Sequence, residues 1–309
     1  MLTRRNVDHY AQSGGIGADV AERNVVLTYV LKALSEEKEK RPLLEELAFK
    51  GGTCLRKVYF GKTTRFSMDL DFTAVEIEID AFRDRLRELL HNKDRYGITF
   101  AIDEEFSSRE NTTSSYGAII NYAHDWRSSN FELNVSFREK PCLNIEPLPL
   151  QSELYFKYCE FEPFEVPCLQ KEELIAEKIR AAFQRVRSRD LYDLYIYANN
   201  TAYNKEAVKA LAVIKCWNVR EPFDPASLLD KIANEEYDWS DLRRLVRPNS
   251  LPREETIIRE VKANYEYLTE INKVLGTIID DSRAHANSNQ VESLIKQLRA
   301  SKHDKDTQY

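Results

Sequence analysis

An α+β architecture, with a mixed or antiparallel sheet and flanking helices over residues 1–165 and a helical domain over 166–309, is predicted by three observations. Short segments in which apolar and polar residues alternate recur between Phe66 and Phe137, the period of half-buried strands. From Lys171 onward the apolar residues recur at three- and four-residue spacing instead, the period of helices. Between these regions lies a connector, 141–167, that carries Pro141, Pro147, Pro149, Pro163 and Pro167 and has room for short strands at most. A domain boundary belongs there.

Residues 1 to about 16 are polar and contain Ser13-Gly14-Gly15 and Gly17, which reads as a loose arm. From Ala18, Val20, Val25, Val26, Tyr29, Val30 and Leu34 keep helical spacing up to the charged run 36–40, which reads as a solvated turn. Leu43, Leu44, Leu47 and Phe49 then form either a helix ending near Glu46 or a strand reaching Lys50. Cys54 to Phe60 reads as a short helix on Leu55, Val58 and Tyr59, broken by Gly61 and Lys62-Thr63-Thr64. In the following strand Phe66, Met68, Leu70 and Phe72 take one face, and Ser67, Asp69 and Asp71 the other. Val75, Ile77 and Ile79 alternate with acids, and Asp80 caps a helix running to about His91 on Phe82, Leu86, Leu89 and Leu90. Strands over 98–106, 115–122 and 130–137 make an antiparallel extension. The helical half begins with 171–187 and a second helix from Ser188. Helices over about 205–218, 225–234, 239–246 and 254–279 follow. One more amphipathic turn around Val291, Leu294, Ile295 and Leu298 precedes a charged tail, 301–309, expected to be disordered.

The stretch from Phe49 to Phe72 carries the chemistry. Gly51 and Gly52 let the backbone approach a ligand, and Thr53 adds a hydroxyl at a helix start, which suits phosphate. Asp69 and Asp71 project from one strand face as hard oxygen ligands suited to Mg²⁺. Singly, a Gly-Gly turn or an Asp-x-Asp pair is a plain structural feature roughly ten times in eleven. It is their conjunction that points to nucleotide handling. In the second half Lys178 lies inside the apolar arc of its helix, where snorkelling or pairing with a buried acid is the ordinary explanation. Asp190 and Asp193 share one face of the next helix, as a capping acid and a surface acid commonly do.

Gly-Gly-Thr, a short helix and Asp-x-Asp flanked by apolar residues together resemble the core of the DNA polymerase β-type nucleotidyltransferases, with a longer gap from Gly52 to Asp69. KGGTxLxK and RxSxDLD, here Lys50–Lys57 and Arg65–Asp71, are similar to motifs of the AbiEii/AbiGii toxin family. EELIAEKIRA and RxRxRDLYDLY, over 100 residues later, are similar to that family's later motifs, so the resemblance spans most of 47–197. It implies a nucleotidyltransferase-like first domain and a helical domain that contributes a lysine and an aspartate to the active site. The implied reaction is Mg²⁺- or Mn²⁺-dependent transfer of a nucleoside monophosphate from a nucleoside triphosphate to a hydroxyl. Asp69 and Asp71 would hold metal, while Gly51, Gly52, Thr53, Lys57, Arg65 and Ser67 would bind the nucleotide phosphates. Lys178 would contact phosphate, with Asp190 or Asp193 holding it or a metal, and Arg185, Arg187 and Arg189 would add positive charge. The third carboxylate that many such enzymes carry on a later strand falls at Asn134, with Glu132 on the same face. The resemblance implies a bacterial or archaeal toxin, usually encoded with an antitoxin, that acts in abortive infection or growth arrest. For some relatives the acceptor is the 3′ end of tRNA.

Other classes are disfavoured. No apolar run approaches the ~20 residues of a membrane span, and the N-terminus lacks the apolar core of a secretory signal, so a cytoplasmic protein is expected. The five cysteines form no CxxC pair, against both zinc and a disulfide framework. A net charge of -6 argues against nucleic-acid binding by the whole surface and leaves room for a local basic patch. The five histidines have no partnered serine or cysteine for triad chemistry. Two alternatives stay open: a nucleotide-binding regulator that transfers nothing, motivated by Asn134, and a kinase-like phosphotransferase using the same metals.

Overall fold

Alternating hydrophobicity builds one mixed sheet of eight strands within the residues that the computed structural model describes, 2–37, 40–110, 113–159 and 162–306. The strands are β1 (Leu47–Lys50), β2 (Leu70–Ala74), β3 (Lys93–Arg95), β4 (Ile98–Glu110), β5 (Thr113–His124), β6 (Arg127–Ser136), β7 (Glu146–Pro149) and β8 (Glu165–Cys168). Their order is β3-β4-β5-β6-β2-β1-β8-β7. The β4–β5–β6 meander is antiparallel, as its even alternation predicts. Tyr116, Ala118, Ile120 and Tyr122 are buried on one face of β5, while Ser115, Ile119 and Asn121 of the other face keep solvent contact. β2 runs parallel to β6 and antiparallel to β1, so it sits inside the sheet with its polar residues framed on both sides.

The chain divides into two units. The first comprises Met1–Pro141, Ile145–Cys168 and Arg243–Leu251 and contains the whole sheet. Its helices are α1 (Arg4–Gly14), α2 (Ala18–Ser35), α3 (Gly51–Cys54), α4 (Ile79–Leu90) and α5 (Leu154–Tyr158). α2 is buried around most of its circumference, which places the polar Asn24 and Thr28 in the core and obliges them to find partners. The expected loose arm is in fact α1. Thr3 caps it by accepting from the Asn6 amide, Gly15 ends it at φ 60°, and Val7, Tyr10 and Ala11 are buried. That narrow stripe of three apolar residues was outweighed by the polar majority. The ambiguous segment before Lys50 divides into a 3₁₀ turn, Leu43–Glu46, followed by β1.

The second unit comprises Cys142–Asn144, Leu169–Leu242 and Pro252–Tyr309. Its helices are α6 (Lys171–Gln184), α7 (Ser188–Asn200), α8 (Lys205–Trp217), α9 (Pro225–Asn234), α11 (Glu254–Tyr265), α12 (Lys273–Asp281) and α13 (Ser288–Asp306), and the short α10 (Ser240–Leu245) begins in it. Glu173 of α6 is fully buried, accepts the Cys142 and Leu143 amides at 2.8 and 2.9 Å, and pairs with Lys215 of α8 at 2.7 Å. The single helix expected over 254–279 is broken by a 3₁₀ turn, Glu266–Thr269, after which Asn272 caps α12 by accepting from the Leu275 amide. The expected amphipathic turn near Val291 is a 19-residue helix that also takes in 301–306 of the tail expected to be disordered. Lys38 and Glu39 of the expected solvated turn, and Thr307–Tyr309 of the expected disordered tail, lie outside the described residues. Among the described residues no helix is long and apolar enough to cross a membrane.

Candidate active site

The Phe49–Phe72 stretch folds so that its two glycines and its second aspartate meet. β1 ends at Lys50, which pairs with Asp71 of β2, and the chain turns at once into α3 with Gly51 at φ 76°. A left-handed φ favours glycine, and space demands it as well. A Cβ on Gly51 would stand 2.2 Å from Oδ2 of Asp71. A Cβ on Gly52 would stand 2.6 Å from Nη2 of Arg65 and 2.9 Å from Oγ of Ser67. The glycine pair is thus a floor on which Asp71, Arg65 and Ser67 lie. Thr53 is the third residue of α3 and donates its hydroxyl to the carbonyl of Asp69, which ties the helix to the strand entrance. The helix then widens into a π turn over Leu55–Phe60, a local irregularity often found at functional sites.

Asp69 and Asp71 are both half-buried. Asp71 forms no ion pair among the described residues, and its side chain accepts one long hydrogen bond, 3.4 Å, from Nδ2 of Asn134. The parallel register sets Asn134 of β6 directly beside Asp71. Glu132 precedes the first paired residue of β6 as Asp69 precedes that of β2, and its side chain is exposed.

Lys57 goes elsewhere. Its side chain is buried, and Nζ donates to the Asn24 carbonyl at 2.7 Å, to Oδ1 of Asn24 at 3.1 Å and to Oγ1 of Thr28 at 2.6 Å. Those bonds satisfy the polar groups that α2 carries into the core. Burial pulls the Lys57 amine down to about 7, against the raising effect of the Glu153 charge. Of the phosphate ligands expected from the sequence, Gly51 lies under Asp71, Gly52 lies under Arg65 and Ser67, Thr53 anchors Asp69, and Lys57 is spent in the core. Sequence reasoning missed the adjacent Arg56. Its fully buried guanidinium pairs with Glu153 at 2.9 Å, donates to the Thr64 carbonyl at 3.0 Å and stacks 3.9 Å from the Phe66 ring centre. Arg56 therefore braces the segment that carries Arg65, Ser67 and Asp69. Two adjacent cations, Arg56 and Lys57, inside a short and otherwise apolar helix were the available signal.

In the second unit, α6 and α7 bring Lys178, Asp190 and Asp193 together. Nζ of Lys178 stands 2.7 Å from Oδ2 of Asp193 and 3.2 Å from Oδ1 of Asp190. Arg185 closes on Asp190 with two hydrogen bonds, 2.8 and 3.2 Å. Burial pushes Asp190 up, but the charges of Lys178 and Arg185 outweigh it and hold the carboxyl well below the usual range. Arg189 pairs instead with Asp241 at 3.1 Å, and Arg187 is exposed just before α7.

A divalent ion fits the first constellation better than the second. Asp71 forms no ion pair among the described residues and lies over Gly51, where a Cβ would fill the space. Among the described residues no three His, Cys, Asp or Glu side chains are grouped to hold a metal. A pair of carboxylates suits Mg²⁺, which completes its shell with water and substrate phosphate.

The family model described as "Nucleotidyl transferase AbiEii toxin, Type IV TA system" matches residues 32–270. Among solved structures, MenT4, a nucleotidyltransferase toxin of Mycobacterium tuberculosis H37Rv, is similar at 24% identity and a TM-score of 0.77, with 97% of this chain and 100% of that chain covered. JHP933 of Helicobacter pylori is similar at 16% identity and a TM-score of 0.47, covering 87% of this chain and 97% of that one. No curated protein matches.

Proposed function

Because the chain belongs to the nucleotidyl transferase AbiEii toxin family of type IV toxin–antitoxin systems, we propose that it transfers a nucleoside monophosphate from a nucleoside triphosphate to the 3′ end of tRNA. The observation that carries this reading is Asp71, a carboxylate that forms no ion pair among the described residues, seated on Gly51 beside Asn134. Asp69 and Asp71 would hold Mg²⁺ or Mn²⁺, which neutralises the triphosphate and lowers the pKa of the attacking hydroxyl. The protein's own part is positioning and electrostatics. Gly51 and Gly52 keep the floor low, Arg65 and Ser67 face phosphate oxygens, and Asn134 orients Asp71 through its amide. Lys178 of the second unit, preset by Asp190 and Asp193, would offer a cation suited to phosphate. Capping tRNA would arrest growth or abort infection in the cytoplasm, and a cognate antitoxin would restrain the toxin.

The test is incubation of the purified protein with total tRNA, Mg²⁺ and each α-labelled triphosphate in turn, with the Asp69→Asn protein as control. Label on tRNA that depends on Asp69 supports the reading and names the nucleotide. Label from a γ-labelled triphosphate entering protein would replace it with a kinase, and binding without any product with a regulator.

A further inference from the structure

The sheet register sets one more residue in line with Asp71. Asp71 of β2 pairs with Asn134 of β6, Asn134 with Gly117 of β5, and Gly117 with Phe106 of β4. Residues in one cross-strand row project from the same face, so all four belong to the face that carries Asp71. Phe106 is 51% exposed, unusual for a phenylalanine. Its ring does not stand upright. A Cβ on Gly117 would lie 1.9 Å from Cε2 of Phe106, so the ring is laid across the bare backbone of Gly117 with its outer surface open. Two strand spacings of about 4.8 Å put that ring roughly 10 Å from the strand of Asp71. A base joined to a phosphate held at Asp71, or the neighbouring base of an acceptor strand, falls in that range.

In the neighbouring rows Ser108, Ser115 and Ser136 lie on one side, and Glu104, the half-buried Ile119 and Glu132 on the other. One ring with Ile119 beside it, bordered by hydroxyls and acids, is too small a patch for an apolar protein surface, but it matches one flat base. The serine hydroxyls can donate to phosphate oxygens, while Glu104 and Glu132 repel them, so a nucleotide has a preferred direction across the ring.

We infer that Phe106 is a stacking platform for a nucleobase on the sheet face that carries Asp71. The platform rests on the transferase reading above and adds to it the group that reads the base. The base can come from the triphosphate or from the RNA acceptor.

Equilibrium binding tells these apart. Wild-type, Phe106→Ala and Phe106→Trp proteins are titrated with four Mg²⁺-triphosphates, with a single-stranded hexa-adenylate, and with Mg²⁺-tripolyphosphate, which has no base. Loss of one stacked base should weaken the Phe106→Ala protein about 5- to 150-fold in the arm that uses the ring (~1–3 kcal/mol). Phe106→Trp should keep wild-type affinity, and tripolyphosphate should bind all three alike. Weakening in the triphosphate arm assigns the incoming base, and weakening in the oligonucleotide arm assigns the acceptor. Equal affinity of wild type and Phe106→Ala in both arms overturns the platform, as does an equal loss of tripolyphosphate binding. Failure of the wild-type protein to bind any Mg²⁺-triphosphate removes the transferase reading itself.

Discussion

Asp71 of the first unit and Asp190 of the second are both aspartates singled out from the sequence, and their surroundings are opposite. Asp190 is buried and closed off by two cations, with Lys178 and Arg185 together filling both carboxylate oxygens. Asp71 is half-buried and receives one long amide contact from Asn134. A carboxylate whose lone pairs are spent on protein cations is a positioning group. One with lone pairs left over can ligate a metal. Asp190 and Asp193 hold a lysine, and on the proposed function Asp71 is left for a ligand, so residues that a motif treats as one list take separate tasks.

The sharpest way to break this contrast is to neutralise each acid in turn. Asp71→Asn is expected to lower transfer by about 10²–10³-fold or more. Its stability should change by under ~0.5 kcal/mol, since no ion pair is lost. Added Mg²⁺ should raise the melting temperature of the wild type and leave that of Asp71→Asn unmoved. Asp190→Ala is expected to destabilise the protein by about 3–5 kcal/mol in urea titration, because Lys178 loses a partner in a half-buried site. The sign of its pH dependence follows from the direction of the shift. The folded carboxyl titrates below its ordinary 3.8, so its contribution is complete above about pH 4 and is lost as the pH falls further. Equal destabilisation by both variants would make Asp71 structural and end the distinction.

What the sequence made legible follows the same line. The long alternating strands and the helices of the second half were readable because their periodicity is sustained, and α9 runs over the expected residues. The short strand β8 was not, since four residues beside prolines carry no period. Yet β8 pairs with β1 at Phe49–Cys168 and completes the sheet beyond it. At the candidate site, side-chain type was legible and side-chain direction was not. Lys57 and Arg65 are both cations in a motif, and the core hydroxyl and amide of α2 decide that the first turns inward. Phe106 and Gly117 lie in strands that were predicted, but only the register reveals that they share a row with Asp71.

The contrast extends to two lysines, and pH resolves it. Lys178 sits between two carboxylates, whereas Lys57 sits among neutral acceptors in the core. Because burial lowers Lys57 from 10.5 to about 7, the unfolded chain binds a proton there that the folded chain releases between those values. Stability from this group therefore rises with pH across that window and is constant below about pH 7. Lys57→Met should remove a slope of up to about 1.4 kcal/mol per pH unit from the unfolding free energy between pH 7 and 10. Transfer, assayed at pH 7.5, should change less than tenfold. A wild-type profile no steeper than that of Lys57→Met would mean that the three hydrogen bonds keep the amine charged.

The smallest expected effect tests the carboxylate face most finely. Asn134 occupies the position beside Asp71 where a third carboxylate is common, and its amide donates to Oδ1 of Asp71. Asn134→Asp exchanges that donor for a like charge at about the same separation. In the half-buried, water-accessible setting the repulsion should cost about 1 kcal/mol without metal. A divalent ion bound between the two strands would cancel the repulsion and use the added oxygen, so with Mg²⁺ the variant should recover wild-type stability or exceed it. The comparison is read as the difference in melting temperature between the two proteins, with Mg²⁺ and with chelator. A deficit unchanged by Mg²⁺ would place the ion away from the Asn134 side of Asp71. The metal would then sit toward Asp69, on the side bounded by the glycine floor.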